Sequence, residues 1–343
     1  MFDKLGGLKK YWYVVGNSIE LKKNQSIKKK IHGIPLLLWR NNSNTIYCLL
    51  DICPHKKSPL DVSNYTKNEI RCPYHGWKFD EKGSLIDIPS DSHLTQKIKC
   101  KLANYEIKEV NGFIYILLDS SDKTIEPFDT SLEQNAKWQY FHTSKIFHTT
   151  EELLIENFMD ATHTPTIHNK LIRRDSNKTK HQITLTQNDY IIQASYKETV
   201  EKIAFGLRFI LGKNYVVSHT DTFLLPNIVK VDYYLNGKHR FNALIACTET
   251  EEGKVLANIR LAVNFGYLNH FILKILPFAT KKVLKQDFDI TEKQYTNIKS
   301  FSELKTHSVS YDKIFQKVNT LRQNIKEEKT VITESTTIID ITI

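Results

Sequence analysis

The alternation of apolar and polar positions divides the chain into two parts. From residue 12 to residue 118 it consists of short apolar and aromatic runs separated by turn residues. Examples are Trp12-Tyr13-Val14-Val15, Pro35-Leu36-Leu37-Leu38-Trp39, Ile46-Tyr47-Cys48-Leu49-Leu50 and Phe113-Ile114-Tyr115-Ile116-Leu117-Leu118. Runs of this length with few helical stretches predict a small all-β sandwich or barrel. The polar Asp119-Ser120-Ser121-Asp122-Lys123 that follows has linker composition. Domains of residues 1–120 and 121–343 are therefore expected.

The second part predicts a mixture. Residues 151–164 are helix-compatible, with Leu154, Ile155, Phe158, Met159 and Ala161, and Pro165 is expected to stop that helix. Residues 181–264 alternate as strands, for instance Tyr190-Ile191-Ile192 and Val229-Lys230-Val231. After Tyr267 the period becomes helical to about Lys299, and another helix is expected over residues 311–325. One sheet with long helices packed on it is an α+β domain. The final residues, 330–343, are rich in Thr and Ile and predict nothing definite.

Composition narrows the function classes. At roughly 150 residues per domain, 343 residues give about two domains and a substantial core. With 41% hydrophobic and 25% charged residues the chain is an ordinary globular one rather than a disordered one. Five cysteines are too few and too scattered for a disulfide framework, which points to a reducing, cytoplasmic setting. The start, Met1-Phe2-Asp3-Lys4-Leu5-Gly6-Gly7, lacks the apolar core of a signal peptide. The most apolar stretch, residues 261–279, is interrupted by Asn264, Asn269, His270 and Lys274, too polar to span a bilayer. Its helical half is read as packing on a core or another subunit rather than lying on a membrane.

Lys and Arg number 48 against 38 Asp and Glu, a net charge of +10. Lysines cluster at Lys9 and Lys10, Lys22 and Lys23, and Lys28 to Lys30. The excess suits a nucleic-acid surface, a solvated Lys-rich exterior, or a landing site for an acidic partner. No nucleic-acid recognition motif accompanies it, so no nucleic-acid partner is expected.

Two constellations carry candidate chemistry. The first is Cys53-Pro54-His55 followed, after sixteen residues, by Cys72-Pro73-Tyr74-His75-Gly76-Trp77. Each short loop offers a thiolate and an imidazole, a donor set suited to zinc or to iron–sulfur. The second is Glu156-Asn157-Phe158-Met159-Asp160-Ala161-Thr162-His163-Thr164-Pro165-Thr166-Ile167-His168. Asp160 and His163, three apart, share a helix face. With the helix stopped at Pro165, His168 can turn back towards His163. Two histidines beside a carboxylate suit a non-haem iron that needs one further carboxylate. Around Lys285-Gln286-Asp287-Phe288-Asp289, the residues Leu284, Phe288, Tyr295 and Ile298 form one helical stripe. Asp287 lies on its edge and Asp289 nearly opposite, which favours Asp287 as the inward ligand.

Residues 11–118 resemble Rieske domains, the oxygenase type more than the respiratory type. Respiratory loops carry an additional Cys each, where this chain has Lys56-Lys57-Ser58 and Tyr74. Oxygenase loops usually have Arg after the first His, and Lys56 is a mild departure. Residues 157–168 resemble the Asn-x-x-Asp-x-x-His-x4-His signature of Rieske non-haem iron oxygenases, and Asp287, Glu292 and Gln294 resemble its late Asp-x4-Glu-x-Gln pattern.

That resemblance implies a [2Fe–2S] cluster on Cys53, His55, Cys72 and His75, and a mononuclear Fe(II) on His163, His168 and Asp287. It implies a helix-grip catalytic domain after the Rieske domain. It also implies that Asp160 bridges an iron-bound His to a cluster-bound His of the neighbouring subunit, hence a homotrimer. O2 would be the co-substrate, with electrons from NAD(P)H through a separate reductase or ferredoxin. The chain's size resembles homo-oligomeric monooxygenases and demethylases. The expected activity is hydroxylation, demethylation or desaturation of a small, cyclic organic substrate, with Phe205, Phe209, Phe223, Tyr233 and Phe241 as candidate pocket walls. An electron-transfer protein without oxygenase chemistry is the alternative.

Overall fold

The computed structural model describes residues 2–121, 125–130, 132, 135–169, 171, 180–199, 216–331 and 334–342. The chain divides into two compact units, one mainly of residues 9–129 and one mainly of residues 130–249 and 253–343.

The first unit is built from short antiparallel strands. β1 (Trp12–Asn17), β9 (Glu106–Val110) and β10 (Phe113–Leu117) form one sheet in the order β1-β10-β9. β2 (Gln25–Ile31), β3 (Ile34–Arg40) and β4 (Ile46–Leu50) form a second in sequence order. β5 (Asp61–Asn64), β6 (Glu69–Arg71), β7 (Lys78–Phe79) and β8 (Leu85–Asp87) form the third. The apolar runs read from the sequence are β1, β3, β4 and β10; all five residues of β10 are buried, as a strand covered on both faces requires. Leu37, Trp39, Leu49, Ile70 and Phe79 pack into one cluster with Cys53 and Cys72, so the two thiols sit on the unit's own core.

The second unit is one eight-stranded antiparallel sheet with helices. Its strands are β11 (Gln139–Phe147), β12 (Lys180–Asn188), β13 (Ile191–Thr199), β14 (Val217–Leu224), β15 (Ile228–Leu235), β16 (Lys238–Glu251), β17 (Lys254–Val263) and β18 (Glu334–Thr342). Their spatial order is β11-β17-β16-β15-β14-β13-β12-β18. The Thr- and Ile-rich end is thus an edge strand whose Ile339 opposes Ile183, both buried. This α+β architecture, with long helices against an antiparallel sheet, is the one expected.

One local expectation is corrected. The helix begun at Glu151 ends at Met159 rather than running to residue 164, and Asp160 is extended (φ −92°, ψ 103°). Pro165 does not stop a helix; it sits in the first turn of the short Thr164–Ile167 helix, where a missing N–H costs nothing. The late helices are Asn269–Ser300 and Lys313–Lys326. We label these α1 (Glu151–Met159), α2 (Thr164–Ile167), α3 (Asn269–Ser300) and α4 (Lys313–Lys326). Among the described residues no helix is long and apolar enough to cross a membrane.

Candidate metal centres

The two loops of the first unit share one geometry. In one, the Cys53 N–H donates to the Ser58 carbonyl and the Lys57 N–H to the Cys53 carbonyl, each at 2.8 Å. In the other, the Cys72 N–H donates to the Trp77 carbonyl (2.8 Å) and the Gly76 N–H to the Cys72 carbonyl (2.9 Å). The fifth residue of each loop is left-handed, Lys57 at φ 58° and Gly76 at φ 75°. Glycine accepts that conformation freely, and lysine at a cost of about 1 kcal/mol.

These turns aim the backbone at the sulfurs. Backbone N–H groups of His55 and Lys56 around Cys53, and of His75 and Tyr74 around Cys72, favour the thiolates. Burial pushes the Cys53 thiol up to about 11. Burial also raises Cys72, but its hydrogen bonds together bring it below the ordinary thiol value. Both cysteines are buried, while His55 and His75 are exposed with ring centroids 4.6 Å apart. Trp77 stacks on His55 at 4.9 Å and 8°, fixing that ring. Two buried thiols and two exposed imidazoles are a donor set that would hold a [2Fe–2S] cluster, two thiolates on one iron and two imidazoles on the other.

The second centre starts at α1, whose first turn is capped by Thr150 accepting from the Leu153 N–H (3.3 Å). After Met159 the Asp160 carboxylate accepts from the Thr162 N–H (2.6 Å) and hydroxyl (2.5 Å), closing a turn. That turn throws His163 and His168 to either end of α2. Their Nε2 atoms lie 3.2 Å apart. From α3, Asp287 brings Oδ1 to 3.0 Å from His168 Nε2 and 3.7 Å from His163 Nε2. Among the described residues these three form the one cluster of metal-type donor atoms mutually within 4.8 Å.

The donors fit a metal ion. Bonds of about 2.1 Å at right angles separate ligand atoms by about 3.0 Å, close to the spacings seen. Asp287 is only 2% exposed and its Oδ1 faces the Nε2 atoms of both histidines, an arrangement that is costly for a buried carboxylate unless a cation shares the site. Burial lowers the proton affinity of His163. In His168 burial acts the same way, but Asp287 and Gln286 outweigh it and hold the ring above its ordinary value. Asp289, on the opposite side of α3, instead pairs with Lys285 at 2.7 Å. Glu292 reaches His148 (2.8 Å) at the surface and takes no part.

Several contributors to the site carry no local sequence signal. Gln286 Oε1 lies 3.0 Å from His168 Nδ1 and sets that ring's orientation and tautomer. Tyr311, from the turn before α4, accepts from the Ala161 N–H (2.6 Å) and donates to the Met159 carbonyl (3.0 Å). Its oxygen also meets the Tyr196 hydroxyl at 2.8 Å, so one buried phenol pins the helix end from which the two histidines project. Asp160 Oδ2 stands 3.8 Å from His163 Nδ1, too far for a hydrogen bond. Asp160 and Asp312, together with burial, which is the larger effect, push the nearby Glu156 carboxyl up to about 7.

Beside the three donors lies a cavity of about 410 Å³. Its walls are predominantly apolar, including Val231, Phe241, Ile245 and Leu276. An aromatic ladder crosses neighbouring strands, Tyr196, His219, Tyr233 and Phe241 being successive cross-strand partners, of which the last three line the cavity. His219 is stacked between Tyr196 (3.8 Å) and Tyr233 (5.1 Å). Asp221, two residues on and therefore on the same face, also reaches the cavity. Of the expected wall residues, Tyr233 and Phe241 line the cavity, Phe223 is buried in the core, and Phe205 and Phe209 lie outside the described residues.

Comparison with known proteins agrees with both centres. Among curated proteins, chlorophyllide a oxygenase of Arabidopsis thaliana is 28% identical over 163 residues, 47% of this chain and 29% of that protein. The 4beta-methylsterol monooxygenase of Methylococcus capsulatus is 27% identical over 158 residues, 45% of this chain and 43% of that protein. These matches span less than half of either relative. The crystal structure of dicamba monooxygenase bound to dicamba superposes with a TM-score of 0.78 at 17% identity, covering 94% of this chain and 98% of that one, which shows a shared fold. The Rieske [2Fe-2S] domain family matches residues 11–106, and with it comes an iron–sulfur cluster. The vanillate O-demethylase oxygenase C-terminal domain family, a non-haem iron family, matches residues 147–327. Since that second match takes in more than half of the chain, the protein belongs to the Rieske non-haem iron oxygenases that carry a vanillate O-demethylase-type C-terminal domain.

Proposed function

We propose that this protein is a terminal oxygenase that uses O2 to hydroxylate, demethylate or desaturate a small, largely apolar cyclic substrate. The observation that carries this reading is the trio His163, His168 and Asp287 set in the wall of an apolar cavity. When bound, the cluster supplies single electrons and the mononuclear iron supplies open positions for O2. Cys53, His55, Cys72 and His75 hold the former; His163, His168 and Asp287 hold the latter. Gln286 orients His168, and the Tyr311 hydroxyl holds the turn that leads from α1 to His163. The apolar walls exclude water and place a substrate C–H bond near the donors. His219 and Asp221 are polar groups lining that cavity and would select a substrate bearing a hydroxyl or carbonyl group.

In this reading residues 1–120 receive electrons and residues 121–343 carry out the oxidation. The electrons come from NAD(P)H through a separate reductase or ferredoxin. The chain acts as a homotrimer in which Asp160, partly exposed, bridges His163 to a cluster histidine of the adjacent subunit. Relatives named for chlorophyllide and methylsterol support a cyclic substrate.

The test is iron per chain together with O2-dependent product formation. About three irons per chain is expected for the oxygenase, and about two would leave a carrier. Oxidised products should appear when the reconstituted protein is given a reductase, NADH, O2 and an extract of hydrophobic metabolites. Two irons per chain and no product under those conditions would overturn the proposal.

A further inference from the structure

The first half of α3 has two working faces. One carries Ile272, Leu276, Thr280, Val283, Leu284 and Asp287 into the cavity wall. The other is apolar too, yet open to solvent: Phe271 is 59% exposed, Ile275 51% and Phe278 77%, and Tyr267 just before the helix is fully exposed. At about 100° per residue, Phe271, Ile275 and Phe278 fall within an arc of about 60°. Large side chains gathered in one exposed stripe mark a surface that meets something apolar.

Charge decides what that is. Residues 266–286 contain four lysines, Lys274, Lys281, Lys282 and Lys285, and no Asp or Glu. All four are exposed and lie on the side of the helix that carries the aromatic stripe. Lys285 is tied to Asp289, which closes the basic patch at its C-terminal end. An apolar wedge flanked by lysines is the make-up of a helix lying in a membrane interface, with rings among the acyl chains and ammonium groups among anionic headgroups. The whole chain, at +10, adds attraction of the same sign. A protein partner would need an acidic rim around an apolar groove; an anionic bilayer offers both at once.

We propose that the N-terminal half of α3 docks this protein onto the surface of an anionic bilayer, without crossing it, beside the cavity wall. Substrate delivery from the bilayer rests on the oxygenase reading above; the docking itself does not, because it is read by vesicle binding and not by turnover.

The experiment is flotation of the metal-loaded protein with vesicles of phosphatidylglycerol and phosphatidylcholine in equal parts, against vesicles of phosphatidylcholine alone. The protein should float with the anionic vesicles and release with rising salt. Phe271→Ser with Phe278→Ser should lower partitioning tenfold or more, with iron content and Tm unchanged. Lys281→Gln with Lys282→Gln should lower it about fivefold per lysine on anionic vesicles and leave phosphatidylcholine binding unchanged. Absence of vesicle binding by the unaltered protein would overturn the proposal. So would undiminished binding by the phenylalanine variant, or a change in its oligomeric state, which would assign the stripe to a second copy of this chain.

Discussion

Replacing Tyr311 by Phe removes a single oxygen and tests how the histidine pair is held. Tyr311 is 8% exposed and Tyr196 4%, so water cannot replace the lost partner. Three groups lose it: the Ala161 N–H at 2.6 Å, the Met159 carbonyl at 3.0 Å and the Tyr196 hydroxyl at 2.8 Å. At about 1 kcal/mol net for each hydrogen bond, the variant is destabilised by about 3 kcal/mol. For a unit of this size each kcal/mol moves Tm by about 2–4 °C, so a fall of about 6–12 °C is expected in the transition of the second unit. The same loss frees the turn between Met159 and His163, so the mononuclear iron should be retained poorly while the cluster's absorption is unchanged. Calorimetry and iron analysis on the same sample read both effects. Tyr196→Phe removes one donor only and should cost about 1 kcal/mol. An unchanged Tm with full mononuclear iron in the Tyr311 variant would refute the argument that this phenol positions the histidines.

Asp287→Ala should leave about two irons per chain in place of about three, with the cluster spectrum intact; retention of the third iron by metal analysis would remove Asp287 from the ligand set. Asp160→Asn, whose side-chain oxygen can still accept from Thr162, should keep both metals and lose turnover, read by product formation against iron content, and full activity would sink the bridging role. Glu156 has a folded pKa raised to about 7 by burial and by Asp160 and Asp312. Its contribution to stability is therefore intact below the ordinary value of 4.5 and lost as pH rises through about 7. Glu156→Gln, which mimics the protonated form, should match the unaltered protein at pH 4 and exceed its Tm at pH 8; parallel pH profiles would contradict this.

Much of the site was legible because its chemistry is written in neighbouring residues. Cys53 and His55, Cys72 and His75, and His163 and His168 each lie within one short loop or turn, so spacing marks them as candidate donor pairs, and the resemblance to Rieske oxygenases implies their ligand roles. The stripe on α3 likewise chose Asp287 over Asp289, since burial of one helical face is a periodic signal. The turn at Asp160 departs from the helical expectation because its Asx-type bonds to Thr162 end the helix before Pro165 is reached. Nothing local marked Tyr311 or Tyr196, which come from a non-periodic turn and a strand 115 residues apart in sequence.

The order of the two units, their β and α+β character and three adjacent pairs of candidate donors are readable along the chain, because each depends on residues a few positions apart. Tertiary structure alone decided the rest. It brought α3 up to the histidines to complete the trio, made an edge strand of the Thr- and Ile-rich end, and stacked His219 between tyrosines of adjacent strands. It also exposed an aromatic and basic face on the same helix that walls the cavity. Those outcomes follow from which surfaces are buried against one another across long stretches of chain, and the burial of one helix face leaves the other to solvent or to whatever the protein meets.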